Sequence, residues 1–230
     1  MRLLTWNACR GRFLKKTALL ESLAADIAVV SEIAKPETTS DRCLWFGHNP
    51  NQGLAVICSS NYRLTPIPQI EEPPLYVIPI QVEGPTSFTL FAVWTIKNQK
   101  MPYIQAVASA IDRYAGLFEK DPVIMMGDFN ANAIWDSLHP PNLNHSSVVQ
   151  RLIGLGMTSA YHHFNQEEHG RETQATFYLH RNSTKAFHID YCFLPVAWAN
   201  QIHSISIGSH GKWLQHSDHM PLVVDMLPRD

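Results

Sequence analysis

A chain of 230 residues, 45% of them hydrophobic, is long enough to bury a large core and short for two ordinary domains, so a single domain over 1–230 is expected. Its 18 Lys and Arg against 20 Asp and Glu exclude the strong basic field of a non-specific nucleic-acid binder, while leaving room for local phosphate contacts. Cys9, Cys43, Cys58 and Cys192 form no C-x-x-C pair, which argues against a zinc knuckle or a disulfide framework. With no signal-peptide core before Arg10 and no apolar run near the ~20 residues of a bilayer span, the expectation is a soluble cytoplasmic protein with no obligate protein partner evident.

Residues 2–6 form a short apolar stretch that predicts an opening strand ending on Asn7. Residues 13–25 carry Phe13, Leu14, Ala18, Leu19, Leu20 and Leu23 at helical spacing, and residues 26–32 read as a buried strand ending on Glu32. Strand, helix and strand together set Asn7 and Glu32 at one edge of a parallel pair. Residues 41–85 are turn-rich, with strands expected at 54–58 and 75–82. Pro79 predicts an edge or a bulge, because proline donates nothing to a ladder. Residues 87–94 predict a strand, and residues 103–118 a helix with Pro102 in its first turn.

Asp121 and Pro122 then open the apolar run Val123-Ile-Met-Met126, which Gly127 closes. A buried strand is predicted that turns sharply where Asp128 and Asn130 occur. A carboxylate delivered to a sheet rim in this way is costly to bury unless a cation, a donor or a substrate answers it. Pro140 and Pro141 predict an irregular loop, after which Ser146 or Ser147 caps a helix through Leu152 that ends at Gly154 or Gly156. A polar loop over 165–172 precedes strands expected at 174–180, 186–194, 202–207 and 220–226. No repeat or linker interrupts the chain, and many strands with few helices suit two packed sheets with helices outside.

Four carboxylates sit beside apolar strand-like runs: Glu32, Asp128, Asp190 and Asp218. Taken singly, each is explained by a solvated turn or a cap. Brought together, they would repel one another and suit Mg²⁺ or Mn²⁺ far better than zinc. The segments Thr5-Trp6-Asn7, Ser31-Glu32, Gly127-Asp128-Phe129-Asn130, His188-Ile189-Asp190-Tyr191 and Ser217-Asp218-His219-Met220-Pro221 resemble, in order, the motifs of the endonuclease/exonuclease/phosphatase superfamily. That group includes exonuclease III, the abasic-site endonucleases and DNase I.

The resemblance implies an α/β fold, a four-layer α-β-β-α sandwich of two mixed sheets with helices outside, and metal-assisted in-line attack at phosphorus. By the same resemblance Glu32 binds the divalent ion, and Asn7 positions metal-bound water or phosphate. Asp128 orients or deprotonates the attacking water, and Asn130 holds that water or a phosphate oxygen. His219 donates to the scissile phosphate with Asp190 as its orienting partner, and Asp218 lies by the metal. These residue types suit the reaction, since attack on an anionic ester adds charge that a cation, an imidazolium and an amide donor stabilise. A carboxylate beside His219 keeps it protonated. Trp94 stands where the family strand ends in His or Tyr, and indole is neither acid nor base. Lys97 offers a replacement positive charge for the phosphate, or is simply solvated.

Substrate is less legible. Arg10, Arg12, Lys15 and Lys16 follow Asn7 and either contact flanking phosphates or decorate a helix start. The loop with Trp135, His139, Asn142, Asn144 and His145 offers donors and an aromatic for a base or a smaller phosphorylated head group. Among the 12 histidines, His162-His163, His169, His203, His210 and His216 match no closed metal site by spacing. The leading expectation is a Mg²⁺- or Mn²⁺-dependent nuclease acting on DNA or RNA. The alternatives are a phosphatase or phosphodiesterase on nucleotides, inositol phosphates or phospholipid head groups, and a catalytically silent binding module.

Overall fold

The computed structural model describes residues 1–68, 73–97, 101 and 103–227. Its elements begin with β1 (Arg2–Asn7), α1 (Phe13–Glu21), β2 (Ile27–Ile33), β3 (Cys43–Asn49), β4 (Gln52–Cys58), β5 (Arg63–Pro66), β6 (Val77–Glu83) and β7 (Phe88–Trp94). There follow α2 (Ile104–Arg113), α3 (Ala115–Phe118), β8 (Val123–Asp128), α4 (His145–Gly154), β9 (Met157–Ser159) and α5 (Ala160–Asn165). Beyond these come β10 (Phe177–Tyr178), β11 (Ala186–Phe187), β12 (Asp190–Pro195), β13 (Ile202–Ile207), α6 (His210–Trp213) and β14 (Leu222–Met226).

Both faces of the central strands are apolar, so both must be covered. In β1, Leu3 packs toward the second sheet while Leu4 and Trp6 pack outward. In β8, Ile124 and Met126 point inward while Val123 and Met125 point outward. Two six-stranded mixed sheets result, ordered β13-β14-β1-β2-β4-β3 and β5-β6-β7-β8-β12-β9, with β10-β11 as a separate ribbon. One core fills the space between the sheets. A second lies under α2 and α4 outside the β8 sheet, and a third under α1 and α6 outside the β1 sheet. This is the four-layer α-β-β-α sandwich. No helix among the described residues is long and apolar enough to cross a membrane.

Strand alternation also places the polar residues. Asn7 continues the inward series of Leu3, Asp128 that of Ile124 and Met126, and Asp190 that of Cys192 and Leu194. Each occupies the last inward position at one rim, where the apolar core gives way to a polar cap. Glu32 reaches this side by a bulge: the β2–β4 register shifts between Val30 and Ile33, and both of those residues face outward. The extra residue turns the chain at Glu32, whose φ is 52°, and parity then puts Glu32 on the side of Asn7.

Several elements differ from the sequence expectation for local reasons. The first helix stops at Glu21, because Ala24 takes a left-handed turn (φ 47°) before β2. The expected helix over 103–118 breaks at Tyr114 into α2 and α3, and Pro102 lies outside the described residues. Asn144, not Ser146 or Ser147, caps α4, accepting from Ser147 N while Ser147 Oγ accepts from Asn144 N. The expected strand over 186–194 divides at His188 and Ile189 into β11 and β12. Strands β3, β5 and β9 and helices α5 and α6 were not anticipated. Pro79 sits in an inner strand, but its missing donor faces β5 beyond the last ladder pair, Pro66 with Ile80.

Candidate active site

Asp128 ends β8 and is completely buried. Its Oδ1 accepts from Asn130 N at 2.9 Å, and its Oδ2 accepts from Asn7 Nδ2 at 2.8 Å and Asn130 Nδ2 at 2.9 Å. Asn130 in turn donates from Nδ2 to Thr95 O at 2.9 Å, which fixes its amide between the ends of β7 and β8. Two backbone features make this turn. Gly127 has φ 148° and packs so closely on β7 that a Cβ would lie 1.8 Å from Val93 O. Asn130 adopts φ 47°, a left-handed conformation that asparagine tolerates better than most residues. Burial pushes the Asp128 carboxyl above the usual carboxylate range, and Asp190 adds to that, against the pull of His219 and the amide donors.

Asp190 pairs in register with Asp128 across the β8–β12 ladder. Its Oδ2 lies 2.9 Å from His219 Nδ1, and its Oδ1 is buried without a hydrogen-bond partner. Burial opposes a charge on His219, but Asp190 and Asp128 outweigh it and push the imidazole up to about 9. Because Nδ1 is committed to Asp190, Nε2 is the nitrogen left to face a substrate. Asp128, Asp190 and His219 each bring an atom within 4.8 Å of the other two.

Two hydroxyls, Thr176, which the sequence reading passed over, and Ser217, which it quoted only as part of a motif, hold these segments together. Thr176 Oγ1 accepts from Ile189 N and Asp190 N, both at 3.0 Å. Ser217 Oγ donates to Asn7 O at 2.7 Å and accepts from His219 N at 2.9 Å. Both residues are fully buried, and for Thr176 that tertiary fact is the only signal.

The remaining candidates fall as follows. Glu32 is half-buried at the end of β2, and none of the hydrogen bonds or ion pairs among the described residues engages its carboxylate. Asn7 Oδ1 accepts from Cys9 N at 2.9 Å, which leaves one lone pair beside Glu32's strand. The Glu32 carboxylate and the Asn7 Oδ1, on paired neighbouring strands, are hard oxygen donors of the kind a divalent cation takes, although Glu32 lies outside the Asp128–Asp190–His219 group. Asp218 stands outside the Asp128–Asp190–His219 group: it is next to Cys9, where burial and then Asp218 push the thiol up. Lys97 is exposed beyond β7, and no interaction among the described residues brings it to the rim. Lys16 is turned inward, donating to Ala8 O at 2.6 Å and also to His216 O, so it is not available to a flanking phosphate.

Trp94 pairs with Asp128 in the β7–β8 register and stacks on Tyr76 with ring centroids 5.1 Å apart and planes within 5°. Tyr76, missed in the sequence, thus brings a phenol to the corner where Trp94 offers only indole. On the other flank the partly exposed rings of Trp135, Phe187 and Phe177 follow one another to His219, at centroid distances of 5.0, 6.5 and 4.5 Å.

No protein-family model and no curated protein matches this sequence. Solved structures do match along its whole length. The 3'-5' exonuclease NExo from Neisseria meningitidis superposes with a TM-score of 0.69 at 17% identity, over 98% of this chain and 99% of that one. An AP endonuclease from Archaeoglobus fulgidus gives 0.69 at 14% identity, over 98% and 99%. A 3' phosphatase NExo from Neisseria, bound to a product DNA hairpin, gives 0.64 at 16% identity, over 99% of each chain. The chain shares the four-layer α-β-β-α fold of these solved structures over its whole length.

Proposed function

We propose that this protein is a divalent-metal-dependent phosphodiester hydrolase acting on nucleic acid, with Mg²⁺ or Mn²⁺ as the ion. The observation that carries the reading is the pair of linked contacts at one rim, Asn7–Asp128 and Asp190–His219, within a single oxygen-rich cluster. Glu32 and Asn7 would hold the ion, which when bound supplies positive charge to the phosphate.

The chain's own groups perform the rest. Asp128, aligned by Asn7 and Asn130, accepts the proton of the attacking water, and its raised pKa makes it a stronger base than an ordinary carboxylate. His219, kept as imidazolium by Asp190, donates from Nε2 to a non-bridging phosphate oxygen as charge builds there. Asn7 keeps one amide hydrogen for the same phosphate, whereas Asn130, with both amide hydrogens taken by Thr95 O and Asp128 Oδ2, has only Oδ1 left, which suits the attacking water; the exposed Arg10, Arg12, Lys15 and Lys97 would add longer-range attraction for an anion.

The row Trp135–Phe187–Phe177 favours nucleic acid over a small head group, because partly exposed rings in line with the catalytic imidazole suit a base that stacks. The structural neighbours named as an exonuclease, an AP endonuclease and a 3' phosphatase on a DNA hairpin point the same way. The four free cysteines suit a reducing compartment such as the cytoplasm.

A substrate panel tests the reading. Labelled single-stranded DNA, duplex DNA with 3'-phosphate or abasic ends, RNA, and small phosphoesters are each incubated with Mg²⁺, with Mn²⁺ and with chelator. Metal-dependent cleavage or end-trimming of an oligonucleotide is expected. Turnover of small phosphoesters alone would replace nucleic acid with the head-group alternative.

A further inference from the structure

Four histidines that the catalytic rim does not use surround the buried Tyr191, on the opposite face of β12 from Asp190. His145 comes from the start of α4, His162 from α5, His169 from the loop that follows, and His188 from the approach to β12. The rings of His162 and His169 stack with centroids 3.5 Å apart and planes within 16°. His145 Nε2 lies 3.0 Å from His169 Nδ1, and His145 Nδ1 is buried without a hydrogen-bond partner.

These contacts suit neutral rings and resist charged ones. Between His145 Nε2 and His169 Nδ1 one nitrogen donates and the other accepts, so the bond is lost once both rings are imidazolium. A charge on His145 also strands an N–H at its buried Nδ1, and a charge on His169 lies against the face of His162. Burial pushes His145 down to about 4, with His162 and His188 adding to that against Asp136, from the turn before α4, and Glu172. Burial, His162 and His145 push His169 down to about 2, with His188 adding and Glu172 opposing. Glu172 Oε1 is already engaged by His162 Nε2 at 3.0 Å, Gly170 N at 2.9 Å and Asn132 Nδ2 at 3.1 Å. Toward solvent the group is flanked by His163, Glu167 and Glu168.

The loop that carries His169 runs on to Gln174, whose carbonyl lies 2.9 Å from His188 Nδ1, and to Thr176, whose hydroxyl accepts from Ile189 N and Asp190 N. Detaching this loop from α4 therefore loosens the backbone that aims Asp190 at His219. We infer that His145 and His169 form an acid-released latch: while neutral they hold residues 166–176 against α4 and so position Asp190, and proton uptake by both opens the loop with β8 and β12 still paired. Both rings bind protons less tightly in the closed loop than an exposed imidazole does at its ordinary 6.5. The latch is therefore closed above about pH 6.5 and is released as pH falls toward about 4. With two protons taken up on opening, the opening constant rises by up to about 100-fold per pH unit in that window.

The test is amide hydrogen exchange by mass spectrometry on the full chain between pH 7 and 4.5, corrected for the intrinsic pH dependence of exchange and read over 166–176 and over 123–128. In wild type, opening over 166–176 is expected to rise by about 10- to 100-fold per pH unit below 6.5 while 123–128 stays protected. His169→Phe, which keeps a flat ring in the stack, and His145→Gln, which keeps a donor, each lower that rise to about 10-fold per unit or less. Exchange is read without substrate or metal, so this outcome is independent of the catalytic reading, and the wild-type comparison requires no variant to fold. Wild-type exchange over 166–176 that does not rise below pH 6.5, or that rises only together with 123–128, would overturn the inference. So would a rise in both single variants as steep as that in wild type.

Discussion

At the scale of single residues, the site depends on two groups whose protonation the fold has shifted. His219 is pushed up to about 9 against an ordinary value of 6.5, because burial is outweighed by Asp190 and Asp128. The folded protein therefore binds this proton more tightly than the unfolded chain does. The stability it contributes is complete below pH 6.5 and is lost as pH rises toward about 9. Thermal melts from pH 6 to 10 should show this decline in wild type and a flatter profile in His219→Gln. Activity should fall along an alkaline limb near pH 9, and His219→Gln should lower kcat by about 10²- to 10⁴-fold. Legibility at this scale was uneven. Asn7, Glu32 and Asp128 stand out as polar groups closing apolar runs, whereas Asn130, Asp190 and His219 are singled out by ordered motifs that resemble those of the superfamily. Thr176 could not, and Ser217 entered only as part of a motif and without a role, since a buried hydroxyl looks like any other in sequence.

At the scale of elements, position is set by where strands end and how helices begin. Gly127→Ala would force a Cβ into Val93 O and a side chain into φ 148°, so it should cost roughly 3 kcal/mol or more, read as a lowered Tm or loss of soluble protein. Asn144→Ala removes the cap of α4 and should cost about 1 kcal/mol, equivalent to a fall of roughly 2–4 °C in Tm. The long strands β1, β2, β7 and β8 were legible because continuous apolar runs admit little else. The short strands β3 and β5 were not, because their half-exposed, turn-rich sequences acquire strand geometry only by pairing with β4 and β6. The bulge at Glu32 was equally hidden, although it decides which side of the sheet that carboxylate reaches.

At the scale of the whole molecule, the candidate site is the polar cap on the core between two sheets, and the inward series of β1, β8 and β12 each end at this rim in a functional candidate. The near-neutral charge sets how such a protein holds an anionic polymer. Few phosphates can be neutralised, so the slope of log K against log salt for oligonucleotide binding should correspond to roughly two to four contacts. A steeper slope would mean a larger basic footprint than Arg10, Arg12, Lys15 and Lys97 provide. The central claim is that Asp128 and a divalent ion together hydrolyse a phosphodiester. Its most direct test is the single-turnover rate of oligonucleotide cleavage with Mg²⁺ and with chelator, for wild type and for Asp128→Asn. The account expects wild-type cleavage that vanishes with chelator and a variant slower by about 10²-fold or more. Equal rates in wild type and Asp128→Asn, or wild-type cleavage undiminished by chelator, would contradict it.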